Sequence, residues 1–396
     1  MAEGAWDDVA RRPPNRKEQI SAVASEMFLA RGYHNVSVTD VADALDITPS
    51  ALYHHFRNKQ DLLFHVVWSG LERVDSTVLR CDDLDEAMAA LSSTIVRSTG
   101  LATVWEREAR NLEGAQREEI RERESQVISH LVPLIVARRR ELGPGAGELA
   151  ARAVFGSLGG FRRRYSLTRR RDEAIMVRLG ELIVAADVSM LGEPAAVGAE
   201  IGQDAAEAGG AQISRREQLL EVGTRLFDEY GYQSVTMSDI GKAAGIVASA
   251  VYRHYSAKED LLVAAATRGR ERLRAGADRA LATAVDPCDA VERLVRSHVA
   301  VSMQNPHLIG IIANERAQLP PKERTAMRRF QTDYLDAWLQ TIAAAAPDRD
   351  PAESRIRVAA VHSMIYFVVH ARAGRPPWPG LDEWLTRLGV SALLDR

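Results

Sequence analysis

The chain has 396 residues, 46% hydrophobic and 27% charged, with a formal net charge of −3. That length exceeds one ordinary domain and fits two of about 200 residues, with enough apolar side chains for packed cores. The near-neutral balance excludes a polycationic chain, so any nucleic-acid surface has to be a local basic patch. The two cysteines, Cys81 and Cys288, lack metal-ligand spacing and point to a reducing cytoplasm. No stretch approaches the ~18 unbroken apolar residues of a membrane span, and the N-terminus lacks the apolar run of a signal peptide. A cytoplasmic protein with no membrane partner is expected.

Residues 1–15 are polar, with Pro13, Pro14 and the basic Arg11 and Arg12. They read either as a solvated tail or as a basic arm reaching a DNA groove. A first helix follows, with Ile20, Ala24, Met27 and Phe28 at helical spacing. Gly32-Tyr33 ends it as a left-handed cap would. Thr39-Asp40 reads as the start of a second, short helix carrying Val41, Ala44 and Leu45 on its apolar side. Asp46 takes the turn. A third helix begins at Thr48-Pro49, where the threonine caps and the proline is preorganised. It carries Ser50, Leu52, Tyr53, His54, His55 and Phe56, and a fourth helix starts at Lys59. Two short helices around a tight turn make a helix-turn-helix pattern.

The same pattern returns at a constant spacing of 199 residues, Gly32 against Gly231, without a gap from Arg215 to Leu262. About two positions in five are identical, so the unit is duplicated. The copy keeps Leu219, Val222, Leu226, Phe227, Gly231, Ser238-Asp239, Ile240, Ala243, Ala244 and Lys258. Thr48-Pro49 becomes Val247-Ala248, which removes the side-chain cap of the third helix, worth about 0.5–2 kcal/mol. Asn58 becomes Ala257, and Ser256 with Glu259 offers a capping box one residue earlier. Between the units, residues 192–213 are Gly/Ala-rich and acidic, the composition of a linker.

These stretches resemble the DNA-binding head of the TetR/AcrR family of transcriptional regulators. The resemblance rests on Phe28, Gly32-Tyr33, Val36, Val41-Ala42, Ala44, Ile47, Ser50, Tyr53, His55-Phe56, Lys59 and Leu62. In the copy it rests on Phe227, Gly231-Tyr232, Val235, Ile240, Ala243 to Ile246, Ser249, Tyr252, His254-Tyr255, Lys258 and Leu261. It covers about a quarter of the chain and implies an all-α fold: two helix-turn-helix heads, each followed by a helical ligand-binding and dimerisation core. The division expected is an arm over 1–15, heads over 16–63 and 214–262, cores over 64–191 and 263–396, and the linker over 192–213. The resemblance makes Tyr53, Tyr252, Lys59 and Lys258 backbone contacts, against the plainer reading of a core tyrosine and a solvated lysine. Lys59 and Lys258 also start helices, whose free N–H groups favour phosphate. Base readout falls on Thr48, Ser50, Leu52 and His54 in the first head and Ser249, Val251 and Arg253 in the second, with Thr39 and Ser238 nearby. His55 and His254 read as residues inside the head. Arginine forks onto guanine where histidine offers one donor and one acceptor, so the heads should prefer different half-sites.

The remainder has helical periodicity and no strand alternation, and its halves echo one another. Glu108 to Leu112 matches Glu315 to Leu319, and Ala153 to Phe161 matches Ala359 to Phe367. The widened spacing suggests an insertion near Asn305-Pro306. Trp105, Glu108, Phe155 and Phe161 in the first core, and Asn314, Glu315, Trp338, His362 and Tyr366 in the second, are candidates for lining an effector cavity, although most such aromatics are simply core. The Glu-x-x-x-Leu echo is similar to family members that sense acyl-CoA-type metabolites. The triplets Arg138–Arg140, Arg162–Arg164 and Arg169–Arg171 read as anion sites or, more plainly, as solvated helix faces. No P-loop, GxSxG, HExxH or CxxC occurs, so no enzyme, cofactor or metal is expected. The resemblance implies a regulator of transcription, a repressor released by a small molecule. As a single-chain pseudo-dimer, or a homodimer of it, it would read an imperfect or asymmetric double-stranded operator. The other reading is an effector-independent architectural DNA-binding protein.

Overall fold

The computed structural model describes residues 16–97, 108–161, 167–192, 214–373 and 378–395. The arm, most of the linker, Trp105 and the Arg162–Arg164 triplet lie outside them. Among the described residues every regular element is a helix.

In the first unit α1 (Arg16–Arg31), α2 (Val38–Ala44) and α3 (Pro49–Tyr53) form the head. They pack on the start of α4 (Lys59–Val78), which continues into the core. Heads and cores therefore share a helix, and the boundary expected at 63/64 is not a break. The first core adds α5 (Leu84–Arg97), α6 (Gly114–Arg138), α7 (Pro144–Gly159) and α8 (Arg169–Ala185). The second unit repeats the plan with α9 (Arg215–Tyr230), α10 (Met237–Ala243), α11 (Ala248–Val251) and α12 (Lys258–Ala282). It continues with α13 (Pro287–Gln304), α14 (Pro306–Asn314), α15 (Pro321–Ala345), α16 (Pro351–His370) and α17 (Leu381–Leu394). The extra residues of this unit do not all enter near Asn305. Helix α12 is longer than α4 (25 residues against 20), and the spacing has already widened when Asp286 caps α13.

The starts of these helices follow from their caps. Asn58, Thr168, Ser214, Asp286 and Asp350 each accept a bond from a backbone N–H in the first turn that would otherwise lack a partner. Helices α1 and α9 end on Gly32 (φ 85, ψ 147) and Gly231 (φ 77, ψ 144). These are positive-φ positions outside the left-handed helical region, a conformation that suits only glycine.

The units meet through α7 and α8 against α16 and α17. A Cβ on Gly160 would lie 2.5 Å from the Cα of Ala360, and one on Gly156 2.7 Å from the Cβ of Phe367. Small residues on α7 thus let α16 approach closely. Phe155 meets Phe367 edge to face at 5.4 Å between ring centroids. Arg178 on α8 bonds Asp395 after α17 at 2.8 Å, and Arg387 on α17 reaches Asp187 after α8 at 3.7 Å. That reciprocity is the signature of an isologous two-fold junction, here made within one chain. The exposed pairs add little stability; the apolar contacts of this pseudo-dimer carry it. One apolar cluster runs from head one through the first core into the inner half of the second core. Head two, α14 and the start of α15 form a separate cluster with, among the described residues, none from the first unit.

Candidate nucleic-acid interface

Each head positions its third helix by the same local chemistry. Helix α2 is capped by Ser37, not Thr39. The Ser37 hydroxyl accepts from Asp40 N–H at 3.0 Å and the Asp40 carboxylate accepts from Ser37 N–H at 2.6 Å. Thr236 and Asp239 repeat the box on α10, so Ser238 is not the cap. The hydrogen bonds from the capping residues hold both aspartate carboxyls below the usual range. Ser-x-x-Asp spacing carried this signal, and the sequence reading missed it by two residues. The caps leave Thr39 and Ser238 exposed in the first turn. The buried side of α2 uses Val41 and Ala42, and that of α10 uses Ile240 and Gly241, whereas Ala44 and Ala243 are exposed. Asp46 (φ 54) and Gly245 (φ 68) make the turn.

In α3 the Thr48 hydroxyl accepts from Ala51 N–H at 3.2 Å. Helix α11 has no side-chain cap and is shorter; Val247 stands 68% exposed in the cap position. The exposed face carries Thr48, Ser50, Tyr53 and His54 in head one and Ser249, Tyr252 and Arg253 in head two. Leu52 and Val251 are corrections: both are 0% exposed, on the opposite side of their helices, and cannot reach a base. His55 is a correction the other way, being exposed, while His254 is half-buried. Tyr53 and Tyr252 are about half exposed, which sets aside the core reading for both.

The two lysines turn inward. Lys258 Nζ donates to the carbonyls of Tyr232 and Val235, both at 2.8 Å, and lies 4.2 Å from the centre of the Tyr232 ring. Lys59 Nζ sits 4.1 Å over Tyr33. Burial lowers both ammonium pKa values, opposed by Glu108 for Lys59 and by Glu315 for Lys258. What these helix starts offer a phosphate is the backbone N–H groups. The start of α12 is held by Asp260, whose carboxylate accepts from Ala257 N–H at 3.0 Å and from the Ser256 hydroxyl. Asp260 takes the role expected of Glu259.

Glu108 and Glu315 serve as links inside the protein. Each is buried and joins a head to its core. Glu108 accepts from Tyr33 N–H at 3.3 Å and Glu315 from Tyr232 N–H at 2.9 Å. Asn111 pairs with His34 at 3.0 Å, and Gln318 accepts from Gln233 at 2.6 Å. The Glu-x-x-x-Leu echo is therefore a latch between head and core. Burial raises the Glu315 carboxyl, against the lowering effect of Arg110 and the Tyr232 hydrogen bond.

The other cavity candidates are dispersed. Phe155 packs across the junction and Phe161 is buried at the end of α7. Asn314 donates to the Tyr366 hydroxyl at 3.2 Å. Trp338 and His362 share a closed cluster with His298 and Tyr334. The two imidazoles stack at 4.3 Å, and His298 Nδ1 is 3.0 Å from the Tyr334 hydroxyl. Burial pushes His298 down to about 4 and His362 well below its ordinary value. The equivalent places in the first core are the buried Ile95, Val127, Leu131 and Gly156. Among the described residues no cluster has a metal-ligand set, and no helix is long and apolar enough to cross a membrane.

A family model for bacterial regulatory proteins of the tetR family matches twice, over residues 20–66 and 219–265. The HTH-type transcriptional repressor KstR2 of Rhodococcus jostii is 28% identical over 143 residues, covering 34% of this chain and 66% of that protein, just under two thirds. KstR of Mycolicibacterium smegmatis, also an HTH-type transcriptional repressor, is 26% identical over 178 residues, 45% of this chain and 79% of that one. A solved structure of the ketosteroid transcriptional regulator KstR2 of Mycobacterium tuberculosis matches 46% of this chain and 94% of its own, with 20% identity and a TM-score of 0.40. The matched family and the named relatives are transcriptional regulators, not enzymes.

Proposed function

We propose that this chain, a tandem tetR-family regulator, is a transcriptional repressor that reads one asymmetric operator as a single-chain pseudo-dimer and leaves it when a small molecule binds. The observation that carries the reading is the isologous junction of α7 and α8 with α16 and α17 inside one polypeptide. In a two-fold dimer such a junction sets two reading helices at half-sites about 34–36 Å apart, or a multiple of that. Tethering replaces bimolecular assembly with a high effective concentration. His54 and Arg253 are exposed at equivalent places, and arginine but not histidine makes a bidentate contact to guanine.

Release follows from linkage: a ligand that binds better to a head spacing mismatched to DNA lowers operator affinity by that difference. The second core supports the effector role best. Its centre is polar where the first is apolar, and the buried His362 Nε2 has no hydrogen-bond partner, an arrangement that suits a ligand able to supply one.

Selection of duplexes from a random library with the full chain, followed by footprinting, tests the reading. Two unlike half-sites protected by one chain per duplex are expected, the chain count coming from light scattering. Identical half-sites, or a separate chain on each, would refute the single-chain reading. Binding without sequence preference would favour the architectural alternative.

A further inference from the structure

The second head is seated on both units. Glu315, whose carboxylate holds Tyr232 N–H of head two, also forms a buried ion pair with Arg110 of the first unit at 2.8 Å. Beside it, a Cβ on Gly231 would come within 2.9 Å of Asn111 Oδ1, another first-unit atom. Arg117 lies 5.0 Å over the ring of Tyr230, the last residue of α9. Arg117 also donates to the carbonyls of Leu112 at 2.8 Å and Arg110 at 2.9 Å. The segment that presents Arg110 is thereby fixed by its own unit.

Among the described residues the mirrored seat lacks its cation. The position equivalent to Arg110 is Ala317, and the position equivalent to Tyr230 is Arg31, which would oppose Arg324 charge to charge. A Cβ on Gly32 would meet only Asn35 of its own turn, at 3.7 Å. Among the described residues the apolar cluster of head two contains nothing from the first unit, and the polar seat ties that head to the first core.

We infer that Arg110 is a positioning residue for the second DNA-binding head, so that the first core controls the orientation of head two without a return control of head one. The inference rests on the DNA-binding reading for its consequence, but not for its first measurement. In the full chain, Arg110→Ala is expected to speed amide exchange over residues 230–236 about tenfold or more, because Tyr232 N–H loses a fixed acceptor. Exchange over residues 31–37 is expected to stay unchanged. Arg110→Lys, which keeps the charge, should restore most of the protection. On the duplex selected with the wild-type chain, Arg110→Ala should lose the footprint of the Arg253 half-site first, with affinity falling roughly fivefold or more. Unchanged exchange in 230–236, or an equal rise in both heads, would overturn the assignment. A selective rise together with no selectable duplex would leave the assignment standing and sink the DNA-binding reading instead.

Discussion

Gly160→Ala tests the junction on which the single-chain reading stands. Gly160 has φ −69 and ψ −18, so an L-residue fits its backbone and only space forbids one. The added Cβ would lie 2.4 Å from the carbonyl oxygen of Ala359 and 2.5 Å from the Cα of Ala360. Ordinary contact begins near ~3.5 Å, so the shortfall is about 1 Å. Both obstacles are backbone atoms of α16, and no rotamer change relieves them. Helices α7 and α16 would have to part, loosening the Phe155–Phe367 contact. Overpacking of this kind costs about 1–3 kcal/mol, whereas Gly→Ala at an unobstructed site of compatible φ gains about 0.4–1 kcal/mol. A net loss of ~1–2 kcal/mol is expected from the urea midpoint, read by tryptophan fluorescence. Gly143→Ala is the control: its φ is −64 and nothing lies within 4 Å of the added Cβ. It should shift stability by no more than about 0.5 kcal/mol. If Gly160→Ala is as stable as the wild type, the two units are not joined along α7 and α16 in solution.

Val247→Thr should restore the missing cap of α11 and stabilise head two by about 0.5–2 kcal/mol, seen as slower exchange in residues 248–255. Tyr53→Phe and Tyr252→Phe should leave stability within ~0.5 kcal/mol, since both side chains are about half exposed, yet weaken operator binding about tenfold by gel shift, the loss of one hydroxyl–phosphate bond. The second core should lose stability in acid. Folded His298 takes a proton only below about 4, and the unfolded chain does so below 6.5. Between these values the unfolded state holds more protons, so the contribution is complete above 6.5 and falls away toward pH 4, by roughly 3 kcal/mol. His298→Phe should flatten that slope in urea melts taken from pH 7 to 4.

The heads were legible because duplication showed the motif twice and because glycine, threonine and proline each mark a backbone requirement. Which side of α3 faces inward was not. A helix of five residues is too short for periodicity to separate Leu52 from its neighbours. The one available signal was that this position stays aliphatic, Leu52 and Val251, while its neighbour changes from His54 to Arg253 at a distance of two. The latches were illegible for another reason. Glu108 and Tyr33 are 75 residues apart and Glu315 and Tyr232 are 83 apart, and no local rule joins them. A repeated Glu-x-x-x-Leu announces that something is kept, and its partner is supplied only by the fold. The lysines were misread for a related reason. A helix start predicts an exposed cation, but Tyr232 and two carbonyls in the preceding turn give Lys258 a better place.

What separates the two units runs in one direction. The second has lost the cap of its reading helix, exposes Arg253 where the first exposes His54, and centres its core on His298, Tyr334, Trp338 and His362 in place of Ile95, Val127, Leu131 and Gly156. It has also gained a seat on the first unit that, among the described residues, the first does not have on it. In a symmetric homodimer none of these can arise singly, because every substitution appears at both ends of the two-fold axis. Two copies of His298 and His362 would bring together four imidazoles, and the Arg110–Glu315 pair would have to form at both ends of the axis. Joining the halves in one chain removes that constraint. The first unit can then keep an apolar body continuous with its head, while the second becomes a separately clustered head on a polar core, steered from outside by Arg110. On this reasoning the tether allows asymmetry at every level, and an operator with two identical half-sites would leave the divergence of the reading helices without a physical purpose.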